Sequence, residues 1–403
     1  MIIKFDMVYL IPLLITSLCV FFYDYKNTKY GNKKIYLLLY IYCSVISGLS
    51  YRLGIDIVSF YVKEIEDYPS LYGLTFDKLF NTPGRQPGWI FFCSLANTIF
   101  NSYYFVKTII SFIINGAIFY AIQKRSQYKY TGILCYFLFL FCYFNFEILR
   151  ESLAISLFLI SLNYFEKERW VKYYSLVFLA FLFHESSIFL VLLPLVKKIK
   201  ITYTTTCFYI GIAAVLMIFA DLFSWIPQFI ASIPIFADKA DHYINNDYFG
   251  GTRQFSINQL LSYILSIYLP LFMVYKMRSH NRSVKYESLV ITYIFISIFR
   301  SFFPIMMRLQ NYLSIFYFMF YIEMLKFIVG DLLKAKYRTL PQAIICSAYV
   351  LYTFSQGMVK PNERFYNYPQ VVAYYPYASI LDKDVDMIRE TFYYIYLGKR
   401  VSL

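Results

Sequence analysis

Thirteen apolar runs follow one another along this chain of 403 residues, and they constrain its fold more than any other feature. In lipid, every backbone polar group must be satisfied within the protein, so only helices and closed barrels cross a membrane. The runs are continuous rather than alternating, which argues against a barrel and predicts an all-α, polytopic integral membrane protein. They lie near residues 7–22, 35–50, 88–100, 103–122, 131–147, 151–165, 171–183, 186–196, 203–220, 257–276, 286–303, 309–329 and 340–355.

Lysine and arginine collect in six short segments between these runs, and the positive-inside rule places all six in the cytoplasm. These segments are residues 26–34, 124–129, 167–172, 197–200, 276–285 and 334–338. If every run crossed the membrane, the segment 124–129 would fall outside. The run 88–100 is shorter than the roughly 20 residues that a span needs. We therefore expect it to form a re-entrant or interfacial helix, which leaves about twelve transmembrane helices with both termini outside.

This topology predicts one membrane domain over residues 1–403, because no linker or internal repeat divides the chain. Its predicted outer face holds a first external loop (51–87), a second large external loop (221–256) and a C-terminal tail (356–403). The end of the tail carries apolar residues at helical spacing, which predicts an amphipathic helix on the outer surface.

Composition also excludes several classes of function. The net charge of +14 follows from the cytoplasmic loops, so it does not indicate nucleic-acid binding. The seven cysteines lie within apolar runs without metal-ligand spacing and are expected to be small buried hydrophobic residues. The sequence has no phosphate-binding glycine loop and no histidine-rich cluster. We therefore expect neither a metal nor a cofactor.

The stretch from Arg150 to Leu195 reads as an antiparallel helical hairpin, with apolar limbs on either side of the charged turn 166–169. Each limb is short for a span, so the hairpin returns Arg150 and His184 to the same side of the membrane in a recessed position. A cation and a titratable imidazole at one depth indicate the start of a site.

Further charges gather on the predicted outer side, where the topology rule does not account for them. A planar guanidinium fork suits phosphate, so we interpret the arginines as a site for a dianionic headgroup. Structural alternatives stay open: Arg300 or Arg52 snorkels to lipid phosphate, Arg150 pairs with Glu147 or Glu151, Asp56 pairs with Arg52, or His184 bonds a backbone carbonyl. The set comprises Arg52, Asp56, Arg85, Arg150, His184, Arg300 and Arg308.

Several of these residues stand in segments that resemble the EpsG/Wzy-type polysaccharide polymerases. The resemblance covers most of the chain and is most specific in the hairpin, although Gln86 stands where an acidic residue is expected. The segments are Arg52–Tyr61, Pro87–Trp89, Arg150–Leu157, Leu179–Ile188, Met307–Tyr317 and Tyr374–Leu381.

The resemblance implies a glycosyltransferase-type enzyme that joins lipid-linked oligosaccharide repeat units on the outer face of a bacterial cytoplasmic membrane. Donor and acceptor are carried on undecaprenyl diphosphate, and a flippase and a chain-length regulator are candidate partners. Arg150 and Arg308 are then expected to bind diphosphate, with Arg52, Arg85 and Arg300 completing the binding set. His184 or Asp56 is expected to act as the base or to position the acceptor.

Two other functions compete with this interpretation. A flippase of lipid-linked sugars is expected to carry polar groups near the membrane midplane and to show repeated halves, whereas these charges sit at one face. Another membrane transferase acting on glycans, such as an acyltransferase, is expected to carry a stronger catalytic motif than His184 beside Glu185.

Overall fold

A computed structural model describes most of the chain and is helical almost throughout, which confirms the all-α prediction. The second external loop (221–256) and the apolar run 340–355 lie outside the described residues. One isolated antiparallel bridge joins Ser50 to Ser379. The described residues are 6–25, 32–61, 67–100, 102–197, 202–218, 263–282, 286–300, 306–329, 358–360 and 368–396.

The helices divide between two compact units: Met1–Val191 with Ala335–Leu403 form the first, and Leu192–Lys334 form the second. Short π- or 3₁₀-helical turns continue or connect several of the helices, notably at Val20–Tyr25, Ile57–Tyr61, Tyr136–Leu140, Glu185–Leu192, Ile264–Tyr268 and Gln370–Ala373. In chain order the α-helices are α1 (Met7–Cys19), α2 (Lys33–Gly48), α3 (Phe76–Phe80), α4 (Pro87–Phe100), α5 (Tyr103–Arg125), α6 (Lys129–Cys135), α7 (Phe141–Phe146), α8 (Leu149–Glu166), α9 (Trp170–Phe181), α10 (Leu193–Val196), α11 (Tyr203–Ile218), α12 (Leu269–Ser279), α13 (Glu287–Arg300), α14 (Met306–Phe327) and α15 (Met387–Tyr396).

Three helical segments among the described residues are long and apolar enough to cross a membrane: Met7–Asp24, Tyr103–Arg125 and Lys129–Phe146. Shorter apolar helices accompany them, including α4 with 14 residues. α4 is shorter than the roughly 20 residues that a span needs, and the re-entrant or interfacial placement of the run 88–100 stays a prediction. A multi-pass membrane protein is confirmed, while the number of about twelve spans stays a prediction.

The predicted hairpin is present as α8 and α9, which pack against each other across a three-residue turn. Phe165 near the end of α8 contacts Trp170 and Tyr173 of α9, with ring centroids 6.0 and 5.4 Å apart. The second limb stops at Phe181, earlier than the apolar run suggests. His184 therefore lies beyond the helix rather than on it.

A buried polar network fixes the end of α7 to the neighbouring span. Asn115 of α5 donates to the side-chain oxygen of Asn145 at 3.0 Å, and the Tyr136 hydroxyl donates to Asn115 at 2.8 Å. Asn145 also donates to the Tyr136 hydroxyl at 2.9 Å, which closes the ring of contacts. Satisfied polar groups hold one another firmly in a low dielectric, so α7 delivers its last residues to a defined place.

Residues 49–56 contact residues 372–393, and these two segments together are here called the loop layer. Tyr51 donates its N–H to the Ala378 carbonyl at 2.8 Å, and Ile380 donates to the Leu49 carbonyl at 2.9 Å. The helix α15 is amphipathic, as predicted: Phe392 and Tyr393 are fully buried while Met387 is 73% exposed. Its apolar face packs on the chain itself, and its position at an outer surface stays a prediction.

Candidate functional site

Two predicted binding arginines meet at residues 84–88, here called the arginine turn. Arg85 and Arg150 each donate from Nη1 to the carbonyl oxygen of Gly84, both at 3.1 Å. Arg150 reaches this point because α8 begins at Leu149 and presents it in its first turn. Gly84 has φ of +67°, a left-handed conformation that favours glycine. The fold thus brings together two cations that are 65 positions apart in the sequence (150 − 85).

The arginine turn is also fastened to the far end of the hairpin. Gly88 donates its N–H to the Leu182 carbonyl at 2.7 Å, and Gln86 donates from Nε2 to Glu185 at 3.3 Å. A Cβ at position 88 would lie 2.6 Å from the Leu182 carbonyl oxygen, so only glycine permits this approach. The start of α8 and the end of α9 therefore both contact one short segment, as expected for Arg150 and the end of the second limb.

His184 follows α9 and caps the 3₁₀-helix that begins at Glu185. Its Nδ1 lies 2.7 Å from the Ser186 hydroxyl and accepts the Ser186 N–H at 3.3 Å. Because Nδ1 accepts a hydrogen bond, the proton of the neutral imidazole is assigned to Nε2. His184 can then donate through Nε2. This arrangement favours positioning of a substrate oxygen over proton abstraction by Nε2 itself.

Asp56 lies at the start of a helical turn whose N–H groups are held by Glu147. The two carboxylate oxygens of Glu147 accept the N–H groups of Ile55 and Asp56, each at 3.0 Å. Glu147 occupies the break between α7 and α8, beyond the candidate span. Burial raises the pKa of its carboxyl well above the usual range, and the charge of Asp56 raises it further.

Residues 146–150 connect Asp56 with the arginine turn. Glu147 holds the backbone of Asp56, and Arg150 contacts Gly84 three positions later. Three residues span at most about 11 Å even when fully extended. The backbone of Asp56 and the arginine turn are therefore anchored to one short stretch of chain.

Arg52 has a different environment, because its guanidinium is held by a carboxylate of the C-terminal helix. Nε donates to Glu390 Oε1 at 3.1 Å and Nη2 donates to Oε2 at 2.6 Å, which is a two-pronged ion pair. The hydrogen bond to Glu390 raises the pKa of Arg52. Arg52 itself adopts φ of +48°. The alternative partner considered from the sequence, Asp56, is thus not needed to hold this fork.

The remaining predicted arginines belong to the second unit. Arg300 ends α13 and donates from Nη1 to the Gln310 side-chain oxygen at 3.1 Å, with Met307 Sδ 3.8 Å from Nη2. Arg308 lies half-buried in the first turn of α14. Both residues stay predicted binding residues.

Sequence reasoning missed three ionisable residues that lie in the loop layer or contact it. Glu147 was weighed only as a partner for Arg150, and Glu390 was not singled out. Lys107 is fully buried in α5, donates from Nζ to the Ser50 carbonyl at 3.3 Å and also contacts the Ser50 hydroxyl. A lysine inside an apolar run was the available signal for Lys107, since charges in spans are costly. Within the described ranges, no group of three or more His, Cys, Asp or Glu residues is arranged to hold a metal ion.

Comparison with known proteins gives one match. A family model described as the EpsG family matches residues 33–370, which include every predicted site residue. The chain matches no curated protein and no solved structure. The second half of the loop layer, including α15, follows the matched residues.

Proposed function

The chain belongs to the EpsG family of polysaccharide biosynthesis membrane proteins, and from this membership we propose that it is a polysaccharide polymerase. Its substrates would be oligosaccharide repeat units carried on undecaprenyl diphosphate. It would join them on the outer face of a bacterial cytoplasmic membrane, as the distribution of basic loops predicts.

The observation that supports this proposal is the meeting of Arg85 and Arg150 at the Gly84 carbonyl. A neutral carbonyl is a weaker acceptor than an ionised phosphate, since bonds to charged acceptors are roughly twice as strong. Diphosphate oxygens arriving at the arginine turn would therefore be stronger acceptors than the Gly84 carbonyl for these two Nη1 groups. The planar fork of arginine suits that exchange better than a lysine ammonium.

In the proposed reaction, a hydroxyl oxygen of the acceptor unit attacks the anomeric carbon of the donor glycan. The bond between that carbon and the diphosphate oxygen breaks, and undecaprenyl diphosphate leaves with the bonding electron pair. Arg85 and Arg150 would stabilise the charge that develops on the leaving group. Asp56 would take the proton of the attacking hydroxyl as general base.

His184 is proposed to position an oxygen of the acceptor or donor through Nε2–H. The contacts of Nδ1 with Ser186 support this role, because they fix the ring and orient its second nitrogen. Arg300 and Arg308, which lie in the second unit, stay predicted phosphate-binding residues. Arg52 is proposed to stabilise the fold through its ion pair with Glu390. The alternative is that Arg52 contacts the substrate directly, and exchanging the charges of Arg52 and Glu390 distinguishes the two roles.

The test is complementation of source cells from which the gene has been deleted, with polymer and lipid-linked repeat units both quantified. We expect the deletion to abolish polymer and to leave single lipid-linked units exposed to an impermeant glycan-oxidising reagent. Units that stay shielded from the reagent would favour the flippase alternative. Normal polymer in the deletion strain would contradict the proposal.

Variants of His184 refine this test. His184→Ala should lower polymer yield by roughly 10²-fold, the scale seen when a single positioned hydrogen-bond donor is lost. His184→Gln places an amide N–H near the position of Nε2 and should restore much of that loss. His280→Gln is the matched control, because His280 is exposed and contacts Ser279 and Lys276 of its own helix.

A further inference from the structure

The segment Gly54–Asp56 packs directly against the end of α7. Gly54 has φ of +99°, and a Cβ at this position would lie 2.2 Å from the Phe146 carbonyl oxygen. The N–H of Gly54 donates to the Ala373 carbonyl at 3.1 Å and to the Tyr393 hydroxyl at 2.9 Å. The backbone is therefore confined from two sides immediately before Asp56.

Glu147 then fixes the direction in which the chain leaves Gly54. Both of its oxygens are engaged, one with the Ile55 N–H and one with the Asp56 N–H, each at 3.0 Å. A carboxylate in this position acts as the cap of a helix start and satisfies donors that have no partner within the turn. The orientation of the Asp56 peptide, and with it the direction of its side chain, depends on these two bonds.

Glu147 also interacts electrically with Asp56. Burial raises the pKa of the Glu147 carboxyl and the neighbouring Asp56 charge raises it further. The other titratable groups that interact with Glu147 are Tyr374 and Tyr393 of the loop layer and Cys142 of α7. A change of charge at Glu147 must therefore alter the electrostatic potential at the Asp56 carboxylate, because the interaction is mutual.

We propose that Glu147 is a positioning residue for polymerisation, which sets the place of the Asp56 carboxylate relative to the arginine turn. The inference rests on the proposed function, in which Asp56 accepts the proton of the attacking hydroxyl. Glu147 is suited to this task because Arg150, three residues later, contacts the arginine turn directly. A shift of the Glu147 carboxylate would move Asp56 while Arg150 stayed in place.

The experiment compares purified Glu147→Gln with the unsubstituted protein in phospholipid vesicles. The substrate is the lipid-linked repeat unit extracted from source cells that lack this gene, and rates are expressed per folded protein. The matched control is Glu323→Gln, another buried glutamate, which accepts a hydrogen bond from the Tyr286 hydroxyl at 2.7 Å in the second unit. Turnover is measured across a range of pH for all three proteins.

We expect Glu147→Gln to lower turnover roughly 10- to 100-fold, since a small misplacement of a reacting group has effects of that size. Ionisation of Glu147, whose pKa is raised by burial and by the Asp56 charge, places a second negative charge beside Asp56 in the unsubstituted protein. Glu147→Gln cannot ionise, so the change of rate that accompanies this step on the alkaline side should be absent from its profile. Glu323→Gln should keep the alkaline side of the parental profile. Turnover of Glu147→Gln within twofold of the unsubstituted protein would overturn the inference.

A second outcome would also overturn it: a fall in turnover with the alkaline side of the parental profile retained would make Glu147 a structural cap only. If Glu147→Gln yields too little folded protein, Glu147→Asp keeps the carboxyl group and provides the second variant. Its profile should keep the alkaline step while its turnover falls, and loss of that step would contradict the inference. Absence of polymer with the unsubstituted protein would instead overturn the proposed function itself, and this inference with it.

Discussion

The loop layer and the arginine turn both hold arginines, yet they use them differently. In the loop layer, the Arg52 fork is engaged by both oxygens of Glu390, whose side chain is only 4% exposed. In the arginine turn, Arg85 and Arg150 share the neutral carbonyl of Gly84, which lies at the surface. A carboxylate already inside the fold is a permanent partner, whereas a backbone carbonyl yields readily to an ionised ligand. The first arrangement suits stability and the second suits binding.

Glycine shows the same contrast. Gly54 of the loop layer and Gly84 of the arginine turn both have positive φ. A Cβ at Gly54 would meet the Phe146 carbonyl oxygen at 2.2 Å, whereas a Cβ at Gly84 would meet nothing within 4 Å. One glycine is required by close packing and the other only by the conformation of its backbone.

The largest effect is expected from Gly54→Ala. The substitution combines a strained backbone conformation with a collision against the Phe146 carbonyl, and each contribution is about 1–3 kcal/mol. We expect the folded protein to be largely lost in detergent, as measured by size exclusion and thermal unfolding. A variant that unfolds within a few degrees of the parent would show that the loop layer is less closely packed than described.

Reversal of the Arg52–Glu390 pair should have the next largest effect. Arg52→Glu or Glu390→Arg alone leaves two like charges together and should cost about 2–4 kcal/mol, because one member is buried. The double variant should restore thermal stability and most of the polymer yield. Folded double variant without polymer would instead assign the Arg52 guanidinium to direct contact with substrate.

Gly84→Ala should have the smallest effect. Only the left-handed backbone opposes it, at a cost of about 1–2 kcal/mol. The protein should fold and retain polymerisation, although the Gly84 carbonyl moves slightly against the two arginines. A loss of folded protein comparable to that of Gly54→Ala would remove the distinction between the two regions.

The sequence predicted the helical class, the hairpin and the approach of Arg150 to the end of the second limb, because these follow from apolar runs and a short charged turn. Arg85 was predicted to bind the same ligand as Arg150, although no feature of the sequence around Arg85 indicated that the two arginines would be close in space. The sequence could not identify the partner of Arg52, since Glu390 lies 338 positions away and the pairing depends on how the C-terminal tail folds back. Pairings at such separation leave no periodic signal in a single sequence.

Two further misses have local causes. The apolar run 171–183 continues past the point where α9 ends, so hydrophobicity alone could not show that His184 caps a 3₁₀-helix. In the sequence, Glu147 is only a charged residue at a helix end. Its role as a cap for Ile55 and Asp56 could not be predicted, because it depends on a loop that is distant in the sequence. The number of transmembrane spans was inferred by requiring all six basic loops to lie in the cytoplasm. That inference depends on the charges of loops rather than on the geometry of helices.

The central claim is that Arg150 binds the departing diphosphate through its planar fork. The most direct measurement is the turnover of Arg150→Lys in vesicles, with lipid-linked repeat units extracted from cells that lack this gene. Arg169→Lys serves as the control, because Arg169 is exposed at the opposite end of the same hairpin. We predict a fall of roughly 10²-fold for Arg150→Lys, of the order seen when a preorganised donor to a developing charge is lost, and parental turnover for Arg169→Lys. Parental turnover of correctly folded Arg150→Lys would contradict the account.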